Sequence, residues 1–314
     1  MLLLIPDGPF DAGIFSTLAE RLSACFTVVA IDPRCNSRSS CREFTAAFDV
    51  NSEADDAADV IHELTGGQAF VFGTGGGAHV ALSLAANHPY AVRSVIAHEP
   101  PSMMLLEDPS EVLAANKAMY EAGRHDGIDT AIERFLAERG LSGLDDSAIS
   151  GGPVLLPEYE ATLRRVRTNF DYWLIHGMTP VFQFQPNISA LRDGNVAVHI
   201  TVGEMSLGRP THEMGAALST ALATELSVME GSPFVSGPDV DDFADGVLGA
   251  FTDQTDHSLV RCTFGLQAGR PAGFGAEAFS ADRSLLSAFA HAPGYSNQTD
   301  GSHGEDRVDS LFAR

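Results

Sequence analysis

The sequence predicts an α/β protein, a doubly wound and mostly parallel sheet with an inserted helical cap. Three observations carry this expectation. Short, wholly apolar runs such as Leu2–Ile5 and Ala69–Phe72 alternate with amphipathic stretches. Glycine, proline or acidic residues punctuate the runs, and the alternation stops after Glu99-Pro100-Pro101, to return only near Val196. Apolar runs without a polar partner at every second position belong to strands covered on both faces, which is the situation in parallel sheets.

The elements follow in order. Leu2–Ile5 is the first strand, Phe15–Leu22 a helix and Phe26–Ile31 the next buried strand, which together make a βαβ unit. Ser52–Leu64 opens with Ser and then Glu53, Asp55 and Asp56, acids that suit the positive end of a helix. Ala69–Phe72, a helix from Gly77 to about His88 and Val92–Ala97 continue the alternation. Helical patterning then occupies Glu111–Ala122, Ile128–Arg139 and Pro157–His176, broken by a Gly/Pro/Ser-rich stretch at Ser147–Pro153. Val196–Val202, a helix from His212 to Leu222, a short strand at Glu225–Met229 and a helix at Asp241–Phe251 complete the sheet. The implied division is a core of residues 1–106 and 185–252, a cap of residues 107–184, and a weakly patterned tail, 253–314, with few apolar residues in register.

Composition narrows the function classes. The formal net charge is −23, with 42 acidic against 19 basic residues and no Lys/Arg cluster. Such a surface repels phosphate backbones, so nucleic acid is excluded as a partner. No apolar run approaches the roughly 18 residues that a spanning helix needs. The N-terminal Met-Leu-Leu-Leu-Ile lacks a basic segment and a cleavage site, so it reads as a core strand and not as a leader. Cys25, Cys35, Cys41 and Cys262 form no metal-binding spacing and read as reduced thiols, which implies a cytoplasmic protein. No cofactor and no metal is expected, and the oligomeric state is left open.

Chemistry concentrates in Val71-Phe72-Gly73-Thr74-Gly75-Gly76-Gly77-Ala78-His79, a strand that enters a helix through a glycine-dense turn. Two motifs fit it. One is the nucleophile elbow, GxSxG, in which small neighbours permit a strained turn that lifts a nucleophile above the sheet. The other is the dinucleotide fingerprint GxGxxA, with Glu99 about 20 residues on as a ribose-binding acid. Two strands precede the turn here and a cap follows Glu99, whereas a dinucleotide fold places its turn after the first strand.

The flanking segments favour the elbow. Leu3-Leu4-Ile5-Pro6-Asp7-Gly8-Pro9, Ile31-Asp32-Pro33-Arg34-Cys35-Asn36-Ser37-Arg38-Ser39, the glycine turn and Ala97-His98-Glu99-Pro100-Pro101 together resemble the α/β-hydrolase superfamily. The resemblance extends through Asn169-Phe170-Asp171-Tyr172-Trp173, Val202–Gly208 and Phe234–Pro238. It implies an α/β-hydrolase fold. It also implies a degenerate triad, because Gly75 stands at the nucleophile position and Gly231 at that of the catalytic histidine. The acid position after the seventh strand of the family falls near Ser206, and Asp7 precedes Gly8 in the oxyanion loop, where a carboxylate opposes a developing negative charge. Thr74, one residue before the apex, is a poor substitute nucleophile.

The remaining candidates are read from position. Glu99 ends a strand at the crevice where open α/β sheets bind ligands, and is the candidate acid or base. His98 lies on the opposite side of the same strand. Gly8, Gly75, Gly76, His79, Tyr172 and His176 are expected to line a pocket, Tyr172 and His176 sharing one face of a cap helix at i, i+4. Asp32 and Arg34 are expected to form an ion pair that holds their loop. The expected function is binding of a hydrophobic small molecule between core and cap, with non-hydrolytic chemistry of epimerase, cyclase or lyase type, or a carrier role for the same pocket. Deleting residues 256–314 should shift the melting temperature by no more than a few degrees, since a weakly patterned tail buries little apolar area. A loss of ten degrees or more on calorimetry would show that the tail completes the core.

Overall fold

The computed structural model describes residues 1–39, 48–138, 157–231 and 238–252. Six parallel strands form one sheet: β1 (Leu2–Ile5), β2 (Val28–Ala30), β3 (Ala69–Thr74), β4 (Val92–His98), β5 (Ala197–Gly203) and β6 (Leu226–Met229), in the order β2-β1-β3-β4-β5-β6. The order reverses direction between β1 and β3, which places the ends of those two strands at the switch point of the sheet, where ligand crevices form.

Alternation along each strand divides the core in two. Leu2, Leu4, Phe70, Phe72 and Ile96 face one side, with α1 (Ser16–Leu22) and α10 (Pro238–Thr252). Leu3, Ile5, Val71, Val95 and Ala97 face the other, with α2 (Val50–Thr65), α3 (Gly76–Asn87) and α9 (Pro210–Leu222). The central strands are buried along both faces, as their uninterrupted apolar sequence requires. The expected strand Phe26–Ile31 is shorter and only half-buried, because β2 is an edge.

Between β4 and β5 lie α4 (Ser110–His125), α5 (Ile128–Glu138), α6 (Pro157–Tyr172), α7 (Met178–Gln183) and α8 (Ile188–Asp193). The expected single helix Pro157–His176 ends at Tyr172 and passes into a π-helical turn, Trp173–Gly177. This turn rotates the register, so that Trp173 and Leu174 bury while Ile175 stays exposed. Phe135, Phe170 and Trp173 pack edge to face within the same core cluster as the sheet.

Two expectations about the loop after β2 are corrected. Arg34 and Asp32 do not pair with each other: Arg34 turns out to Asp56 on α2, and the fork of Arg38 reaches Asp32, with Nε 2.8 Å from Oδ2. Cys35 is disulfide-bonded, contrary to the reading of four reduced thiols, and that removes the cysteine argument for a reducing compartment. The expected tail, 253–314, lies outside the described residues, as do Ser147–Pro153 and most of the Phe234–Pro238 segment.

Candidate active site

The turn after β3 keeps the strained geometry of an elbow without its side chain. Gly75 sits at φ 54 and ψ −124, a region that L-residues enter only at a cost of about 1–3 kcal/mol. Its N–H donates to the carbonyl of His98 (2.9 Å), and its own carbonyl caps the first turn of α3 by accepting from Ala78 (2.9 Å). A Cβ on Gly73 would strike the backbone of Gly77, and one on Gly77 would strike the carbonyls of Ile5 and Pro6. These two glycines therefore serve the close approach of helix and strand.

What stands above the apex is Asp7. Its carboxylate is buried, and Oδ1 accepts from the Gly76 N–H at 2.7 Å. A Cβ built on Gly75 would overlap the Asp7 carboxyl group itself. The carboxylate thus fills the volume that a nucleophilic side chain would occupy. It also takes the backbone donor that follows the nucleophile, which in an elbow forms half of the oxyanion hole. Asp7, expected from sequence beside Gly8, thus meets the turn by direct contact. The dinucleotide reading falls at the same point, because an amide already committed to a carboxylate cannot cradle a pyrophosphate.

Trp173 covers the loop beside Asp7. Gly8 has φ 38, and a Cβ there would come within 2.8 Å of Trp173 Nε1. A Cβ on Gly177 would meet Trp173 Cδ1 at the same distance, so the indole edge is held between two glycines. Its N–H is buried and has no hydrogen-bond partner. Beside Gly8 is a cavity of about 10 Å³, barely enough for one water, lined among others by Gly76, Pro33, Glu53 and Val181.

Glu53 is the residue that sequence reasoning missed. It stands in the first turn of α2, as the acidic run predicts, and the helix, which begins at Val50 behind an Asp49 cap, turns it inward. It is 5% exposed, and both carboxyl oxygens lie 3.2 Å from the Arg34 N–H. Burial pushes its pKa up to about 7, against the Arg34 amide that favours the charged form. Its inward position was legible only as one polar residue among Val50, Ala54, Ala57, Ala58 and Ile61, the buried stripe of the helix.

The other candidates are tied into the fold. Glu99, at φ 50, accepts through Oε1 from the Gly203 N–H (3.2 Å) and the Ser206 hydroxyl, at the turn after β5. His98 is fully buried, with Nδ1 3.0 Å from Thr201 Oγ1 and its ring against Phe72 and Phe243. Burial lowers its pKa, with the Glu99 charge opposing. His79 bridges sheet and cap, with Nδ1 3.0 Å from the Val181 carbonyl and Nε2 2.8 Å from Ser102 Oγ. Because a carbonyl only accepts, Nδ1 carries the proton and Nε2 accepts from the serine. The rings of Tyr172 and His176 meet at 5.1 Å, tilted by 34°, and the His176 carbonyl accepts from the Phe48 N–H at 3.2 Å. Thr74 is buried. Gly231 has φ 74 at the end of β6, and residues 232–237 are outside those described. Neither Glu99 nor His98 lines the cavity beside Gly8.

Fold and turn together define a class: a parallel α/β sheet whose crevice opens at the strand C-termini around an elbow. The chain belongs to the alpha/beta hydrolase family, which it matches over residues 2–205. It is 36% identical over 162 residues to the uncharacterized hydrolase YraK of Bacillus subtilis (strain 168), covering 51% of this chain and 59% of that protein. It is 33% identical over 147 residues to the 2-(acetamidomethylene)succinate hydrolase of Mesorhizobium japonicum, covering 43% and 52%. The alignments therefore span little more than half the length of these relatives. Among solved structures, MenH from S. aureus superposes with a TM-score of 0.57 at 14% identity, covering 81% of this chain and 94% of that one. The enol-lactonase from Burkholderia xenovorans LB400 gives 0.55 at 16%, covering 80% and 90%. These likenesses concern the fold. No helix among the described residues is long and apolar enough to cross a membrane.

Two predictions follow from this geometry. Gly75→Ser should be destabilised by several kcal/mol, from overlap with Asp7 and strain at positive φ, and Asp7→Gly should recover about half or more of the loss in the double variant. Additive effects in urea unfolding would show that the two positions do not share one volume. For His79, burial holds the pKa down to about 4, below the ordinary 6.5. The unfolded chain then binds the proton first, so this contribution to stability is intact above pH 6.5 and is lost as pH falls towards 4, by roughly 3 kcal/mol in all. Glu53, with its raised pKa, acts in the opposite direction over an overlapping window. Hence the quantity to measure is the difference between the wild type and His79→Phe, which should narrow by that amount between pH 7 and pH 4. A constant difference would mean that the imidazole titrates alike folded and unfolded.

Proposed function

We propose that this protein binds a hydrophobic small molecule between the sheet and the helices over it, and acts on it by chemistry other than serine acyl transfer. The observation that carries the reading is the Asp7 carboxylate bonded to the Gly76 N–H above Gly75. Acyl transfer needs a nucleophile, a base in reach of it and donors for an oxyanion. The apex has no hydroxyl, the expected base position is Gly231, and the amide donor faces an internal anion. Curated relatives bear hydrolase names, so the departure is local to this site and not a feature of the fold. Proton-transfer reactions such as epimerisation, isomerisation or elimination require only an oriented substrate and a group to carry the proton. A ligand of more than one or two heavy atoms enters by displacing Val181, the side chain that closes the site over Gly76.

A carrier role is the second reading, and it draws support from Glu99, His98 and His79 all being engaged in internal hydrogen bonds. Both readings predict silence towards a fluorophosphonate probe. Intact-mass analysis after incubation should show no adduct at the elbow peptide, and stoichiometric labelling there would restore the serine-hydrolase assignment.

A further inference from the structure

The elbow has a carboxylate where a nucleophile belongs, and that carboxylate comes from another strand. Asp7 lies on the loop after β1, 69 residues from the amide it binds. The turn that normally raises a side chain into the crevice still adopts its strained form at Gly75, although it raises none. Strain of this kind persists only where the surroundings enforce it. Here it leaves room for Asp7.

A second observation comes from the side chain over Gly8. Trp173 is 2% exposed, and its indole N–H has no acceptor. A buried donor left unmade costs about 1–3 kcal/mol, so its occurrence calls for an explanation. Trp173 begins a π-helical turn, a local irregularity that recurs at functional sites, and its indole edge is fixed by Gly8 and Gly177. The N–H is thus pre-set beside the residue that follows Asp7. Adjoining residues thus lie at a proton acceptor, Asp7 on the Gly76 amide, and at an unmade proton donor, the indole N–H over Gly8.

We propose that Asp7 is the catalytic base of this protein and that Trp173 Nε1–H holds the substrate oxygen, the substrate being a carbon acid activated by a neighbouring carbonyl or comparable acceptor. The assignment rests on the reading above that the site works without a serine. In the step, the C–H bond next to the carbonyl breaks and the proton passes to the Asp7 carboxylate. The electron pair forms a C=C bond, and the carbonyl oxygen becomes an enolate oxygen bonded to the Trp173 N–H. Return of the proton to the same face of the same carbon restores the substrate, and return to a conjugated carbon shifts the double bond. No oxidant or reductant is consumed.

The test uses 5-nitrobenzisoxazole as a carbon-acid probe. A base takes its C3 proton, the N–O bond breaks, a nitrile forms and the oxygen leaves as a phenolate that is read by absorbance. The full-length protein should accelerate this elimination well above the buffer background. Asp7→Asn, which retains an acceptor for Gly76, should lower the rate about 100-fold or more at an unchanged melting temperature, in keeping with the usual share of a general base. Trp173→Phe, which keeps the ring packing, should lower it about tenfold. The Asp7→Gly, Gly75→Ser double variant, which lacks the carboxylate altogether, should fall to background. Wild-type turnover at background, or a rate that survives in Asp7→Asn, would overturn the assignment. If that happens while the fluorophosphonate probe stays silent, only the role of Asp7 falls. Labelling by the probe would remove both readings.

Discussion

The hydrogen bond from the Gly76 amide to Asp7 organises the site. It joins the loop after β1 to the turn after β3 across the switch point of the sheet, and it is made in a buried setting where a charge-assisted bond is short and strong. Gly75 must be glycine because Asp7 occupies the space above it. Gly8 must be glycine because the loop that delivers Asp7 passes under Trp173. Glycine at position 75 and the carboxylate above it are therefore one coupled feature of the packing. A serine at the apex and Asp7 in its present rotamer cannot coexist.

A second polar cluster fixes the helices above the crevice. Asp11 is fully buried and accepts from the Gly13 N–H (2.9 Å), the Ser37 hydroxyl (2.6 Å) and the guanidinium of Arg165 on α6. One turn further along α6, Asn169 donates to the Pro9 carbonyl (2.9 Å) and accepts from the Ser37 N–H (2.9 Å). Removing one member of such a buried ion pair typically costs about 3–5 kcal/mol, because the other charge is left without compensation. His79 adds a neutral tie between α3, Ser102 and Val181. The positions of Trp173 and Val181 over the site are consequently set by hydrogen bonds as well as by apolar packing.

Two buried titratable groups adjoin this region with opposite responses to pH. Desolvation disfavours the charged form of each, raising Glu53 and lowering His79. At neutral pH both sit largely or partly uncharged, which suits an apolar environment between sheet and cap. Tyr172 is close enough to Glu53 for that carboxyl, together with burial, to raise the phenol.

The sequence by itself determined the parallel α/β class, the order of its elements, the glycine elbow and the absence of a hydroxyl at 75 and an imidazole at 231. These are local codes: runs that can be buried on both faces, glycine where φ is positive, residue identity at a motif position. It misassigned what depends on destination. Arg34 and Asp32, two residues apart, found separate partners, and Glu53, placed correctly in the first turn of its helix, faces a cavity. Glu99, placed correctly at the end of its strand, directs its carboxylate to Ser206. Only the tertiary structure brought Asp7 onto Gly76 and Trp173 over Gly8, because those contacts join segments remote in sequence and a side chain's direction follows from the packing of distant elements. The sequence recorded which residues stand at the turn, and the fold decided which groups meet there.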